Sequence, residues 1–489
     1  MPWAGVTLVY PGSGTGFFHG RMGKKEGTAM IRTPRPYPGR TNPSRRDFLA
    51  TGLKTAAAAS IAAPLLAACS SSGSSGSKGG KASTADDVLT IGLPITPQDS
   101  KQTLAYIASF TKQTGITVNA FTTNTATNTW VSVFQEVSTR LAGGEPMDSA
   151  YIATEGMQLF EQRGVLDPLD PYIASDQSAV NEFYSDVSPN MLANFRTLDN
   201  LKGHTYFIPI GYNVMSMWYN RKLFSSLGIP DPTPGWTWDD FQSACAKITS
   251  GSSRLGYAVG TPVPGPFTDV YPWVLTNGGG ILNADQTACT ANSPANIEAA
   301  TFVRSLVTSK LVNQPGGSYN AFAAAAAGHL GMFGGGIWPN SSIPLSQAEI
   351  NDQFAIVPWP QKVQSGTPVG VGGFPIFKNS ANKPALWEFI KFTISQEFQN
   401  GPVVNFGGDM PIRQSVARSQ SFLQKFPPGT ESFSDELAYS TMIVGVPNGS
   451  AVETEISTDW EEILTGAASP AAGMASMQTN VTQLMQQTV

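Results

Sequence analysis

The stretch Pro209–Phe241, PIGYNVMSMWYNRKLFSSLGIPDPTPGWTWDDF, constrains the chain most, because four local signals follow one another in it. Met215–Tyr219 is a short apolar run that reads as a buried strand. Asn220, Arg221 and Lys222 break it, and Leu223, Phe224 and Leu227 continue at helical spacing. Gly228–Gly235 holds three prolines, which no regular element spans. Thr237 then caps a second helix: its hydroxyl can accept from the amide three residues on, and Asp239 and Asp240 favour the positive end of the helix dipole. The residues alone give a strand–helix–loop–helix unit of an α/β domain.

The rest of the chain repeats that alternation. Strands are expected at Val88–Pro94, Ile116–Asn119 and Ser149–Ile152, and helices around Leu104–Thr111, Val131–Leu141 and Met157–Gly164. Gly115 and Gly143–Gly144 end the first two helices. Trp273 falls on a helix closed by three glycines, Tyr319–Ala327 is an Ala-rich helix, and Leu330–Phe333 is a strand. Asn382–Phe398 reads as one amphipathic helix, and two more run over Glu455–Leu464 and Gly473–Met485. Strands alternating with helices imply βαβ units and parallel sheets.

As a pattern, Pro209, Tyr212, Asn213, Tyr219, Asn220, Phe224, Leu227, Gly228, Pro232, Thr237, Trp238, Asp239, Asp240 and Phe241 resemble the family 1 extracellular solute-binding proteins. These are the ligand-receiving subunits of ABC importers. Gly143–Asp148, Gly164–Leu169 and the segment ending at Trp338 resemble further family motifs, though Met147, His329 and Gly331 depart from them. The resemblance covers about residues 86–489 and implies a two-lobed α/β fold of type II, each lobe a mostly parallel sheet flanked by helices. It implies one lobe from 88–208 plus 366–409 and another from 209–365 plus 410–489, with crossings near Ile208–Pro209, Gln361–Thr367 and Asp409–Pro411.

Ahead of this body, Arg45–Arg46 sits in a twin-arginine export signal, followed by the Ala- and Leu-rich run 50–68. Leu66–Ala67–Ala68–Cys69 resembles a lipobox, so Cys69 is expected to be lipidated after cleavage of the leader 1–68. Residues 69–87 form a Gly/Ser linker. Met30 offers a second start that gives a more usual signal length. Residues 1–68 carry nine Lys/Arg against two acidic residues, leaving about −12 for the remainder of a chain whose net charge is −5. So acidic a body is not drawn to phosphate backbones, which excludes nucleic acid as a partner.

Catalytic signatures are scarce. Gly12–Gly16 lacks the Lys of a phosphate loop, and no G-x-S-x-G or H-E-x-x-H occurs. His19, His204 and His329 have no metal-ligand spacing, so no metal or cofactor is expected. Asp239–Asp240 and Glu461–Glu462 are neighbours that cannot face each other across a glycosidic bond, and read as caps or solvated faces. Cys245 and Cys289 are either bridged or two buried thiols.

Aromatic residues at loop starts are plentiful: Tyr212, Trp273, Trp338 and Phe374. An aromatic face can lie on the C–H face of a pyranose. Hydrogen-bonding residues accompany them: Gln98, Asn124, Glu155, Asn213, Asn277, Asp409 and Arg413, of which Gln98, Asn124 and Glu155 are placed only by following the first three strands, and Gly373 is expected at the ligand beside Phe374. Trp273 and Trp338 match positions where the family carries ligand aromatics. These residues form the expected site of a non-enzymatic, monomeric receptor for a mono- or oligosaccharide, anchored to the outer membrane face through Cys69 and read by ABC permease subunits. A polyamine or glycerol phosphate ligand and a surface polysaccharide hydrolase are the alternatives.

Overall fold

Val88–Leu93 is the middle strand of a parallel sheet, and its alternate residues Leu89, Ile91 and Leu93 are aliphatic and fully buried. The computed structural model describes residues 87–94, 100–123, 130–198, 203–251, 253–260, 265–401, 408–443 and 445–487. Arg45, Arg46, Cys69, the linker, Gln98 and Asn124 lie outside the described residues. Thr117–Thr122 and Ser149–Ala150 flank the middle strand, with Ile91 opposite Ala120 and Ser149. The crossover helices Ser100–Thr114 and Trp130–Ala142 give way to Gly115 (φ 80°) and Gly144 (φ 70°), left-handed positions that glycine takes without strain.

The run expected as one strand, Ser149–Ile152, is two. Ser149–Ala150 closes the first sheet, and Ile152–Ala153 pairs antiparallel with Thr367–Gly373. Tyr151 turns the chain between them.

Thr367–Gly373 is the hub of a second sheet. It pairs antiparallel with Gly211–Val214 and parallel with Ser440–Met442, and Met410–Pro411 extends the edge beyond Gly211–Val214. The chain leaves this sheet at Met215. Ser216–Asn220, all buried, is then a central strand of a third sheet, between Phe354–Val357 and Leu330–Gly335. Asn220 ends that strand and caps the helix Arg221–Ser226 by accepting from the Leu223 amide at 3.0 Å. Thr237 accepts from the Asp240 amide at 3.2 Å while Asp240 accepts from the Thr237 amide at 2.9 Å, a reciprocal cap on Trp238–Ile248.

The helix expected over Asn382–Phe398 is broken. Lys383–Thr393 stops, and Ser395 accepts from the Phe398 amide at 3.2 Å to start Gln396–Asn400. A capping residue inside an apolar pattern offers the backbone an alternative partner. Cys245 and Cys289 are separate buried thiols. Gly256 packs on the first of them so closely that a Cβ there would stand 2.5 Å from Cys245 Cα.

Candidate functional site

A cavity of about 800 Å³ is lined from one side by Trp130, Tyr151 and Glu155, which follow strands of the first two sheets. Its other side is Gly265–Thr268, Trp338 and the helix Gly449–Thr465, from elements around the third sheet. Asn213 and Asp409 lie at its base. This volume suits a small ligand that is mostly enclosed.

Asp409 organises the base. It is 8% exposed and accepts from the Tyr151 hydroxyl and the Asn213 side-chain amide. Asn213 also donates to the Gly408 carbonyl and accepts from the Ile337 amide, both at 3.2 Å. One side chain thus joins the Asp409 loop to the turn that carries Trp338. Both segments require glycine: at Gly408 (φ 71°) in the loop a Cβ would lie 2.7 Å from Trp338 Cβ, and at Gly336 in the turn 2.2 Å from the Trp338 ring.

Two aromatic pairs face the space. Trp130 inclines on Tyr151 with centroids 5.9 Å apart and is backed by Phe134. Trp338 inclines on Phe267 at 6.1 Å. Flat apolar faces beside hydrogen-bonding groups can take a ring that has a C–H face and a hydroxyl rim.

The electrostatics are one-sided. Burial, then the charge of Asp409, push Glu155 up to about 7, against a hydrogen bond from its own amide. Burial raises Asp409 to about 6, against the bonds from Tyr151 and Asn213. Glu453, on the helix Gly449–Thr465, is also raised, by burial and then by Glu155. Glu461 stands exposed on that helix at the cavity's rim.

Of the residues expected at the ligand, Glu155, Asn213, Trp338 and Asp409 line this cavity together. The others among the described residues lie elsewhere. Tyr212 neighbours Asn213 on one strand and so faces the opposite side, where its hydroxyl meets Ser434 at 2.9 Å. Trp273 is fully buried among Trp238, Phe241, Tyr257, Phe302 and Trp359, with ring centroids 5.1–5.9 Å away. Gly373 is where two backbones cross, since a Cβ there would be 2.5 Å from the Ile208 carbonyl oxygen. Phe374 is a core residue that supports Tyr151 from behind at 5.5 Å. Arg413 is 3% exposed and committed to Glu182 at 2.6 and 2.8 Å and to the Ile394 carbonyl at 2.8 Å. Sequence reasoning passed over Trp130, Tyr151, Phe267 and Glu453, although Trp130 has the same loop-start position that singled out Trp338.

The model of the bacterial extracellular solute-binding proteins matches residues 95–400. The chain belongs to that family. A binding protein of Brucella abortus (strain 2308) is 27% identical over 305 residues, 60% of this chain and 69% of that one. The maltotriose-binding protein of Pyrococcus abyssi is 22% identical over 337 residues, 66% of this chain and 67% of that one. An ABC substrate-binding protein from Listeria monocytogenes, solved with cycloalternan, superposes with a TM-score of 0.69 at 22% identity, covering 82% of this chain and 99% of that one. The fold is the two-lobed, type II α/β architecture of this family.

Proposed function

We propose that the protein is the exported substrate-binding subunit of an ABC importer, taking a mono- or oligosaccharide into the cavity between its lobes and presenting it to a membrane permease. The observation that carries this is the pairing of Trp338–Phe267 on one side with Trp130–Tyr151 on the other, around Asp409 and Asn213. A pyranose offers apolar faces to such rings and hydroxyls to such acceptors. The maltotriose-binding relative and the cycloalternan-bound neighbour support a carbohydrate ligand. The lobes are assigned as 88–208 plus 366–409 and 209–365 plus 410–489, and the change of sheet at Met215 supports a hinge close to the first crossing. Ligand that touches both lobes favours the closed form, which the permease reads. Export follows the twin arginine Arg45–Arg46, and lipidated Cys69 holds the protein at the outer face of the membrane.

A phosphate-bearing solute fits poorly, since no Lys, Arg or His is among the described residues lining the cavity. A thermal-shift screen over neutral sugars, amine-bearing sugars and polyamines, with chromatography of the recovered ligand, tests the function. The account expects a sugar to raise the melting temperature and return intact; one at 100 times its dissociation constant adds about 2.7 kcal/mol. Cleaved sugar points to the hydrolase reading, and no shift with any sugar overturns the assignment.

A further inference from the structure

Four carboxylates line the cavity, Glu155, Asp409, Glu453 and Glu461, and no Lys, Arg or His joins them among the described lining residues. The stretches of sequence adjoining the lining residues, 95–99, 124–129, 261–264, 402–407 and 444, contain no basic residue either. Asp409 has its donors in Tyr151 and Asn213. Glu155 and Glu453 have no side-chain donor among the described residues.

Glu155 is 8% exposed and accepts from its own backbone amide. Glu453 stands on the other lobe's helix, and one of its carboxylate oxygens is buried without a partner among the described residues. Glu453 feels the charge of Glu155, and Glu155 that of Asp409, yet no hydrogen bond joins Glu155 to Glu453. The Tyr271 hydroxyl, buried and unpartnered among the described residues, is also raised by both, after burial itself. A carboxylate withdrawn from water without a counter-ion is costly, so it keeps its proton until a cation replaces it. Among the described residues no group of three or more His, Cys, Asp or Glu is arranged to hold a metal ion.

We infer that the ligand is itself cationic, a sugar bearing a protonated amine that lies between Glu155 of one lobe and Glu453 of the other. This deepens the proposed function and rests on it. A neutral sugar needs acceptors, which Asn, Ser and Thr side chains supply without charge. An ammonium gives each carboxylate a charge-assisted donor and removes their mutual repulsion, so closure of the lobes becomes conditional on the amine. Because Glu155 and Glu453 hold protons more tightly than an exposed carboxyl does, binding an amine near neutral pH expels protons.

The test is calorimetric titration of the protein at pH 7.5 with the β-1,4 trisaccharide of glucosamine, its N-acetylated neutral counterpart, maltotriose and spermidine. The inference expects the amine-bearing trisaccharide to bind at least about tenfold more tightly than its neutral counterpart, the worth of one hydrogen bond to a charged group. Its heat should vary with buffer ionisation enthalpy, reporting proton release, and its affinity should fall with salt. Glu155→Gln/Glu453→Gln, checked for a native melting transition, should abolish the preference. Equal or tighter binding of the neutral sugars overturns this inference and leaves the sugar-binding function standing. Spermidine binding without any sugar binding upholds the role of the carboxylates and overturns the sugar assignment. The ligand comparison needs no variant, so it decides the matter even where the double substitution fails to fold.

Discussion

The Thr367 hydroxyl sits between the backbone groups of Met215, accepting from its N–H and donating to its C=O, each at 2.9 Å. Both residues are fully buried, and Met215 is where the chain passes from the second sheet to the third. The hydroxyl therefore satisfies two backbone groups that neither ladder reaches. Thr367→Val keeps the shape and orphans both, which should cost about 1–3 kcal/mol in urea denaturation. Thr367→Ser should recover most of that loss. An undiminished stability in the valine variant would mean that the passage is held by something else.

Glu436 is fully buried, accepts from the Ser216 hydroxyl, and is raised to about 8, chiefly by burial. Between about 4.5 and 8 the folded protein holds a proton that the unfolded chain has released. Stability should therefore be highest at the acid end of this window and fall as pH rises through it, by at most about 1.4 kcal/mol per pH unit for this one proton. Glu155, at about 7, and Asp409, at about 6, act in the same direction. Glu436→Gln should flatten the slope between pH 6 and 8 and leave stability near pH 4.5 little changed. The check is urea denaturation at a series of pH values, and a wild-type curve that rises through this window would contradict the assignment.

Trp273 packs within a cluster of aromatic rings and touches no part of the cavity. Trp273→Ala should destabilise by about 3–5 kcal/mol, the cost of a large buried ring. Trp273→Phe, which fills most of the space, should leave ligand affinity at the wild-type value. A large loss of affinity in a stably folded Trp273→Phe would return this residue to the site.

The parts of the fold legible in the sequence are those decided within a few residues. Thr237 and Asp240 find each other three positions apart, and Gly115 and Gly144 stop helices through their own backbone freedom. The break at Ser395 was written just as locally, but the apolar spacing of Asn382–Phe398 hid it. The site was legible only in part, because it is assembled from distant segments. Asn213 and Tyr212 are adjacent and chemically plausible alike, and only the facing of one strand separates them. Arg413 resembles a ligand clamp until Glu182, far away in sequence, is seen to occupy it. Glu453 lies just ahead of the helix expected over Glu455–Leu464, and only its burial, with the approach of Glu155, makes it unusual. The relation of each lobe's residues to the other lobe leaves no local periodicity to read.

The most direct measurement of the central claim is titration of the protein with the sugar that gives the largest thermal shift, repeated on Trp338→Ala. Trp338 is partly exposed, lines the cavity, and has its position fixed by Gly336 and Gly408. If a sugar stacks there between the lobes, affinity should fall by about tenfold or more, equivalent to about 1.4 kcal/mol, with the sugar recovered intact and the melting temperature of the free protein little altered. Unchanged affinity in a folded Trp338→Ala protein would place the ligand elsewhere and contradict the account.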